Sequence, residues 1–167
     1  MKKAISMVAI TTGFSLMGMA IAQAGDITES RDLSSFKRIL IEDAGVGIDV
    51  IVGRDFSVTV RGAEKWVGKI TTTVEHDALV ISRKEKKKKT VNFGSDNRII
   101  ITMPSFSGLE VKGAVDADIS GVDGEKLDFE IDGAGNIEIK GKCGRLKVDI
   151  NGAGNFEGRD LKCEDVR

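Results

Sequence analysis

Short runs of alternating apolar and polar residues, separated by Gly, Asp and Asn, make up most of this chain. Alternation with a period of two is typical of β-strands that bury one face. No segment after residue 24 has the periodicity of an amphipathic helix. The pattern therefore predicts an all-β protein, with strands before residue 113 at Phe36–Ile41, Val46–Val52, Phe56–Arg61, Lys69–Val74, Ala78–Ser82, Thr90–Phe93, Arg98–Met103 and Leu109–Lys112.

From Gly113 onward the pattern becomes a repeat with a period of 19 or 20 residues. The segments 113–132, 133–151 and 152–167 each begin with a Gly-Ala corner, followed by a polar residue and a short alternating strand. A period of this length, with Gly-rich corners, is typical of a stacked β-solenoid. The register predicts a ladder of Asp116, Asn136 and Asn155 at the corners, where Gly supplies positive φ. It also predicts a core of Leu127, Phe129, Ile131, Ile137, Ile139, Leu146, Val148 and Ile150.

The same register predicts which side chains stack on the outside. Asp118, Glu138 and Glu157 form an acidic column, and Lys140 and Arg159 lie close enough to pair with it. The simpler interpretation is a salt-bridged outer face, in which each exposed pair contributes little. The alternative is a cation site along the acidic column.

Cys143 and Cys163 occupy equivalent places in successive coils, because each follows a Lys in its repeat. Neighbouring strands lie about 4.8 Å apart, which is within the Cα separation of roughly 4.4–6.8 Å that a disulfide allows. We therefore predict a disulfide between them, with two free thiols as the alternative.

The first 24 residues have the pattern of a secretory signal peptide. Lys2 and Lys3 precede an apolar stretch, and Ala22-Gln23-Ala24 forms a small-x-small cleavage site before Gly25. An uncleaved anchor is the weaker alternative, since Gly13, Ser15 and Gly18 interrupt the apolar stretch. The sequence predicts an exported domain with a strand-rich part, residues 25–112, followed by the coils of residues 113–167.

The charge of the chain argues against a nucleic-acid partner. The formal net charge is −1 at pH 7, and a chain so close to neutral has no broad basic surface. The exception is the segment "RKEKKKK" at residues 83–89, whose lysines are Lys84, Lys86, Lys87, Lys88 and Lys89. It is interpreted as a solvated hairpin tip that discourages edge pairing, or as a contact for an anionic surface.

Catalytic patterns are missing from the sequence. The single histidine, His76, stands in "VEHDALV" and is interpreted as a surface turn residue rather than a base or metal ligand. No nucleophile-elbow serine occurs, and two cysteines without C-x-x-C spacing do not make a zinc site. We predict no catalytic residues, no metal and no cofactor.

The order of the motifs resembles one known family. The strings "SSFKRILIEDAGVGIDVIVG", "IIITMPSFSGLEVKGAVD" and the repeated "GAGN" are similar to the head-GIN domain family, the putative auto-transporter adhesins. This resemblance implies an all-β, right-handed β-helix-like exported domain without a characterised activity. The family usually continues with further Gly-rich strands, whereas the third coil here reaches Arg167 in mid-coil. That difference predicts a truncated sequence, an unusual cap or self-association.

Together these observations predict an exported, non-catalytic module of a bacterial envelope, in the periplasm or on the cell surface. Its expected partners are an envelope component, a cell-surface glycan or a second copy at the C-terminal edge. A polysaccharide-active β-helix enzyme, which would place carboxylates on an outer face, remains an alternative. An envelope assembly or stress factor that binds other proteins through an open β-edge is a further alternative.

Overall fold

The structure is a computed structural model that describes residues 26–84 and 97–167. The predicted signal peptide, the strand Thr90–Phe93 and Lys86 to Lys89 lie outside these residues. The described residues form one sheet of nine strands and one short helix, α1 (Glu64–Val67). The strands are β1 (Asp26–Arg31), β2 (Arg38–Val52), β3 (Ser57–Ala63), β4 (Ile70–Glu75), β5 (Ala78–Arg83), β6 (Arg98–Met103), β7 (Gly108–Ile131), β8 (Ala134–Ile150) and β9 (Ala153–Val166).

The all-β prediction is confirmed, with differences at the boundaries of elements. Phe36–Ile41 and Val46–Val52 belong to the single long strand β2, and Leu109–Lys112 is only the start of β7. The pattern missed β1 and α1. The charged sequence of β1 has no apolar alternation, and α1 is too short to show a helical period. No helix in residues 26–84 and 97–167 is long and apolar enough to cross a membrane.

Parallel pairing organises the second half of the sheet. Strand β2 pairs in parallel with β7, β7 with β8, and β8 with β9. The amide of Asp128 donates to the carbonyl of Ser107 (3.0 Å), and that of Asp132 donates to Val111 (2.8 Å). The later part of β7 therefore lies against its own beginning, so the chain returns onto itself after one repeat.

Each repeat has three short sides. Side A contains residues 108–112, 127–131 and 146–150, side B contains 114–119, 134–139 and 153–157, and side C contains 122–124, 141–143 and 161–163. Residues of one side lie directly opposite the corresponding residues of the next repeat. Alternation therefore sends the same positions inward in every repeat, where they form one continuous core.

The glycines at the corners between sides A and B are required for space. A Cβ added to Gly152 would collide with the carbonyl of Gly133, and one added to Gly133 would collide with that of Gly113. The predicted positive φ is found at Gly133 in one of these corners (159°) and, between sides B and C, at Gly121 (75°) and Gly141 (143°). Close backbone approach, rather than the left-handed conformation alone, is thus the reason for Gly in the repeated corners.

The predicted core is correct except near its last repeat. Phe129, Ile131, Ile137 and Ile139 are buried, as are Leu127 and Leu146. Val148, by contrast, is only partly buried and Ile150 is 39% exposed, although both lie opposite buried residues of β7. The cause is that the described chain lies against side A of β8 only as far as Val148, whose amide donates to the carbonyl of Arg167 (3.1 Å).

The opposite end of the sheet is closed by strands that break the parallel order. Strand β6 pairs in parallel with β2 but antiparallel with β3, and β1 pairs antiparallel with β3. Strand β5 pairs in parallel with β2, and β4 lies antiparallel on β5. Helix α1 contacts β1 and β3 and buries Val67, so this end of the core is covered.

Candidate functional site

Carboxylates gather on the outer surface of side B. Asp49, Asp118, Glu138 and Glu157 lie opposite one another on β2, β7, β8 and β9, and Asp116 stands two residues before Asp118. They point outward because the residues between and beside them, such as Ala117 and Ile119, are buried. We call the surface of Asp49, Asp116, Asp118, Asn136, Glu138, Asn155 and Glu157 the carboxylate face.

The predicted corner residues form one row of this face. Asp116 lies opposite Asn136, and Asn136 lies opposite Asn155. A side-chain hydrogen bond at this corner comes from the neighbouring row, where Asn151 Nδ2 donates to Asp132 Oδ1 (3.2 Å). The repeated corners thus display amide and carboxylate oxygens on both sides of the turn.

The row of Asp116, Asn136 and Asn155 continues across β2 to Arg98 on β6. Its guanidinium contacts Asp116 (3.0 Å), Asp118 (2.7 Å) and, at 3.4 Å, Asp49. Gly47 lies between Arg98 and Asp116 in the row, and a Cβ at Gly47 would stand 2.9 Å from two atoms of the arginine side chain. The missing side chain at Gly47 therefore lets one arginine reach across β2 to carboxylates on β7.

Asp49 has the most unusual electrostatic environment on the face. Partial burial raises the pKa of its carboxyl above the ordinary value, and nearby Asp118 and Asp116 add to this, although Arg98 acts in the opposite direction. Burial thus disfavours the charged form of Asp49 in the fold.

The outer part of the face is paired within single strands. Lys140 donates to Glu138 at 2.8 Å, which lowers the pKa of Glu138 and raises that of Lys140. Ion pairs also cover the outer surface of side A. Lys147 contacts Asp149 on its own strand at 2.5 Å and Asp128 on β7 at 3.9 Å. These contacts match the predicted salt-bridged outer face. Within the described residues no group of three or more His, Cys, Asp or Glu could hold a metal ion.

The disulfide between Cys143 and Cys163 is present. The two residues lie opposite each other on side C, with their Cα atoms 4.5 Å apart, and the described residues contain no free cysteine. Cys143 is buried in the core, whereas Cys163 is only partly buried. The bond therefore joins the inner faces of β8 and β9.

The other predicted residues lie apart from the carboxylate face. Lys84 is exposed at the end of β5, where its Nζ donates to the carbonyl of Gly68 (3.1 Å) and its amide donates to Lys69 (3.0 Å). His76 lies exposed in the turn between β4 and β5, with φ 57°. The structure does not bring either residue together with the carboxylates.

Two edge strands of the sheet, β1 and β9, are built differently. On β1, Glu29 and Arg31 lie opposite the buried residues Val60 and Val58, so their side chains share the inner face, and they pair with each other at 3.0 Å. Inward-pointing charges of this kind protect an edge strand from further pairing. On β9 the same face carries Phe156, Leu161 and Cys163, which are only partly buried, and Val166, which is 64% exposed.

Sequence reasoning missed Arg98, Gly47 and Asp49 as members of one cluster. A strand glycine such as Gly47 does indicate close approach of another group. The partner cannot be identified from the chain order, however, because β6 comes after β5 in the sequence but lies beside β2. The inward charges on β1 gave no signal either, since that strand was not predicted.

Comparison with known proteins agrees with this architecture. A crystal structure of a putative adhesin from Bacteroides fragilis is similar with a TM-score of 0.74 and 24% identity, covering 86% of this chain and 75% of that one. A putative adhesin from Parabacteroides merdae is similar with a TM-score of 0.53 and 10% identity, covering 84% and 75%. At these identities the likeness shows the fold. Among curated proteins, none matches this chain.

The family comparison covers most of the described residues. Residues 35–167 match the model described as "putative auto-transporter adhesin, head GIN domain". The match includes the parallel repeats, the carboxylate face and the disulfide. The chain therefore belongs to the head GIN domain family of putative auto-transporter adhesins.

Proposed function

We propose that this protein is an exported, non-catalytic module of a bacterial envelope that acts by surface contact. In this proposal the parallel repeats wind as a right-handed β-helix-like solenoid, and strand β9 is the contact edge. The partner is an extended strand from an envelope protein or from a second copy. The adhesin-like character of the family and the stacked surface support this function.

One observation carries the proposal: the contrast between the edge strands β1 and β9. Strand β1 has Glu29 and Arg31 on its inner face beside the exposed Ile27, whereas the side chains of β9 on that face are apolar. An edge with unpaired amides and apolar inner residues is suited to β-strand addition, in which backbone hydrogen bonds supply affinity. Of these two edge strands, β9 fits a partner strand better than β1.

The disulfide supports an oxidising location for the protein. Disulfides persist in the bacterial periplasm and at cell surfaces and are rare in the reducing cytosol. Together with the signal-peptide pattern of residues 1–24, the Cys143–Cys163 bond favours export to the periplasm or the cell surface.

The polysaccharide-enzyme alternative is less well supported by the carboxylate face. Three of its carboxylates contact Arg98, and Glu138 is paired with Lys140. A general acid in a glycoside hydrolase needs a carboxyl with a raised pKa facing a second carboxyl across a substrate. Asp49 has a raised pKa, but it shares its surroundings with the Arg98 cluster.

The lysine segment gives a second, weaker candidate contact. Lys84 to Lys89 would present closely spaced positive charges to lipopolysaccharide or acidic glycans. Such a contact is sensitive to salt, because exposed charges are screened over about 8–10 Å at physiological ionic strength. Contact through the β9 edge depends on backbone hydrogen bonds and apolar burial, so it is much less sensitive to salt.

The edge is tested by removing one outward amide. The amide of Arg167 donates to Leu146 (2.9 Å), so the amide of the preceding residue, Val166, faces away from β8. Val166→Pro removes this donor without removing a bond to β8, and Pro is tolerated on edge strands. Val166→Ala is the matched control, because it shortens the side chain but keeps the amide.

The measurement is binding of the mature protein to envelope fragments and to itself, at low and moderate salt. We expect Val166→Pro to weaken binding at least about tenfold relative to Val166→Ala. Replacing all five lysines of the segment by Ser should have a smaller effect, confined to low salt. Equal binding by the Pro and Ala variants would rule out the β9 edge, and hydrolysis of a polyuronate by the wild type would overturn the non-catalytic proposal.

A further inference from the structure

The last strand of the sheet is held to the rest of the molecule by few side-chain interactions. No side chain of β9 is fully buried, whereas β8 buries Ile137, Ile139, Cys143 and Leu146. Phe156 packs its ring against Phe129 with the centroids 5.1 Å apart, and Arg145 contacts Asp165 at 3.2 Å. Strand β9 therefore has the properties of an element that opens before the rest of the fold.

The Cys143–Cys163 disulfide is the covalent exception. It closes a loop from β8 to β9 with a sequence separation of 20 and anchors the less buried strand to the core. The backbone ladder from Ala134–Ala153 to Leu146–Val166 runs on both sides of the bond. A cross-link at this position limits how far β9 can separate from β8, even when the ladder opens.

We propose that this disulfide is a redox latch on β9. When it is reduced, β9 opens and β8 becomes the edge of the sheet. The new edge exposes the apolar residues Ile137, Ile139 and Leu146, which are buried while β9 is in place, beside the unpaired amides of β8. The latch regulates the contact edge and so rests on the proposed function given above.

The chemistry requires a dithiol as the reductant. A thiolate of the dithiol attacks one sulfur, the Cys143–Cys163 bond breaks, and the second thiol of the reagent resolves the mixed disulfide. Two electrons and two protons pass to the protein, which gains two thiols, and the dithiol becomes a disulfide. An exported dithiol oxidoreductase is the class of protein that could supply this step, and dithiothreitol serves as the laboratory reagent.

Native-state hydrogen exchange tests the latch directly. We expect reduction by dithiothreitol to speed exchange of the β9 amides in the ladder with β8, and of the Arg167 amide that donates to Leu146, by about two orders of magnitude. This is the factor implied by roughly 3 kcal/mol for a loop of this length. Amides of β7 and β2 should keep their protection.

Two variants complete the experiment. Cys143→Ser with Cys163→Ser should show fast β9 exchange without reductant, which covers the case in which the native bond resists dithiothreitol. Arg145→Gln removes the ion pair between β8 and β9 and should leave exchange nearly unchanged, because exposed pairs contribute little.

The outcomes separate the latch from the proposed function. Unchanged β9 exchange in both the reduced protein and the double Ser variant would overturn the latch. Loss of protection throughout β2 and β7 would also overturn it, since the bond would then stabilise the whole domain. Fast β9 exchange with no change in envelope or self binding would support the latch while counting against the edge as the contact surface.

Discussion

The edge strands β1 and β9 differ in the side chains that they place on the inner face of the sheet. Both β1 and β9 lie at an end of the strand order, and within residues 26–84 and 97–167 each pairs with only one other strand. At β1, Glu29 and Arg31 share the inner face with the exposed Ile27, and α1 covers the core nearby. At β9 the inner face is apolar and Val166 remains exposed, as does Ile150 at the end of the adjacent β8.

Burial of the inward-facing side chains decreases step by step from β7 to β8 to β9. In β7 the inward residues of sides A and B are buried. In β8 they are buried at Ile137 and Leu146 but not at Ile150, and in β9 none is fully buried. Each repeat depends on the next for half of its core, so stability should fall in the same direction.

The largest expected effect compares one buried residue near each edge. Val60→Asp places a carboxylate in the fully buried core opposite Glu29, and it should cost at least about 3 kcal/mol of unfolding free energy. Val148→Asp lies opposite Phe129 but is only partly buried, so its cost should be clearly smaller. Chemical denaturation of both variants gives the comparison.

Equal destabilisation by these two variants would contradict the gradient of burial. Val148→Asn and Val60→Asn serve as controls, because they are polar at the same positions without a charge. If the charge is the main cost, each Asn variant should lie between the wild type and its Asp variant.

The next largest effect is expected when the inward-pointing charges of β1 are removed. Replacing Glu29 and Arg31 together by Val gives this strand an apolar inner face like that of β9. We expect a marked increase in self-association, because an unprotected edge pairs readily with other strands. Sedimentation velocity over a range of concentrations provides the measurement.

The matched control uses the outward residues of the same strand. Thr28→Val with Ser30→Val adds similar apolar area on the outer face and leaves the inner charges in place. If this pair raises self-association as much as the Glu29 and Arg31 variant does, the increase comes from added apolar area and not from loss of the inward charges.

A smaller effect is expected at Arg98, which connects β6 to carboxylates on β2 and β7. Arg98→Gln removes the contacts to Asp49, Asp116 and Asp118, and it should cost about 1 kcal/mol or less, since these carboxylates are partly exposed. Part of the loss reflects mutual repulsion of the carboxylates that remain. The loss of stability should therefore be greater at neutral pH than near pH 3, as followed by thermal unfolding.

A stability loss that is independent of pH would argue against the ion-pair role of Arg98. Arg38→Gln is a useful control, because Arg38 contacts a single carboxylate, Glu110, at 3.8 Å. Its effect should be the smaller of the two.

The smallest effect concerns Asp49. Because its pKa is raised in the fold, the native state holds this proton more tightly than the unfolded chain does. The associated stability is present below the unfolded pKa of Asp and is lost as pH rises through the higher native value. Asp49→Asn should therefore gain stability relative to the wild type as pH rises through that window.

Thermal melts between pH 3 and pH 7 measure this difference, and the expected gain at pH 7 is a few tenths of a kcal/mol. A loss at pH 7 instead would mean that the contact between Asp49 and Arg98 outweighs the cost of burial. Asp118→Asn has the same neighbour, Arg98, and serves as the comparison.

The sequence by itself determined the repeated half of this protein. Its period set the register, so Asp116, Asn136 and Asn155 could be placed in one row and Cys143 beside Cys163 before the structure was known. In a parallel stack, equivalent positions of successive repeats are neighbours in space. Local spacing is then sufficient to predict long-range contacts.

Only the tertiary structure decided the non-repeating half and the extent of burial. Strand β6 enters the sheet beside β2 out of sequence order, which brings Arg98 to Gly47 and the carboxylates of β7. Alternation marks Ile150 and Ile131 as equivalent, yet one is exposed and the other buried. A pattern fixes the face on which a side chain lies, but exposure depends on what packs against that face, and distant parts of the chain decide this.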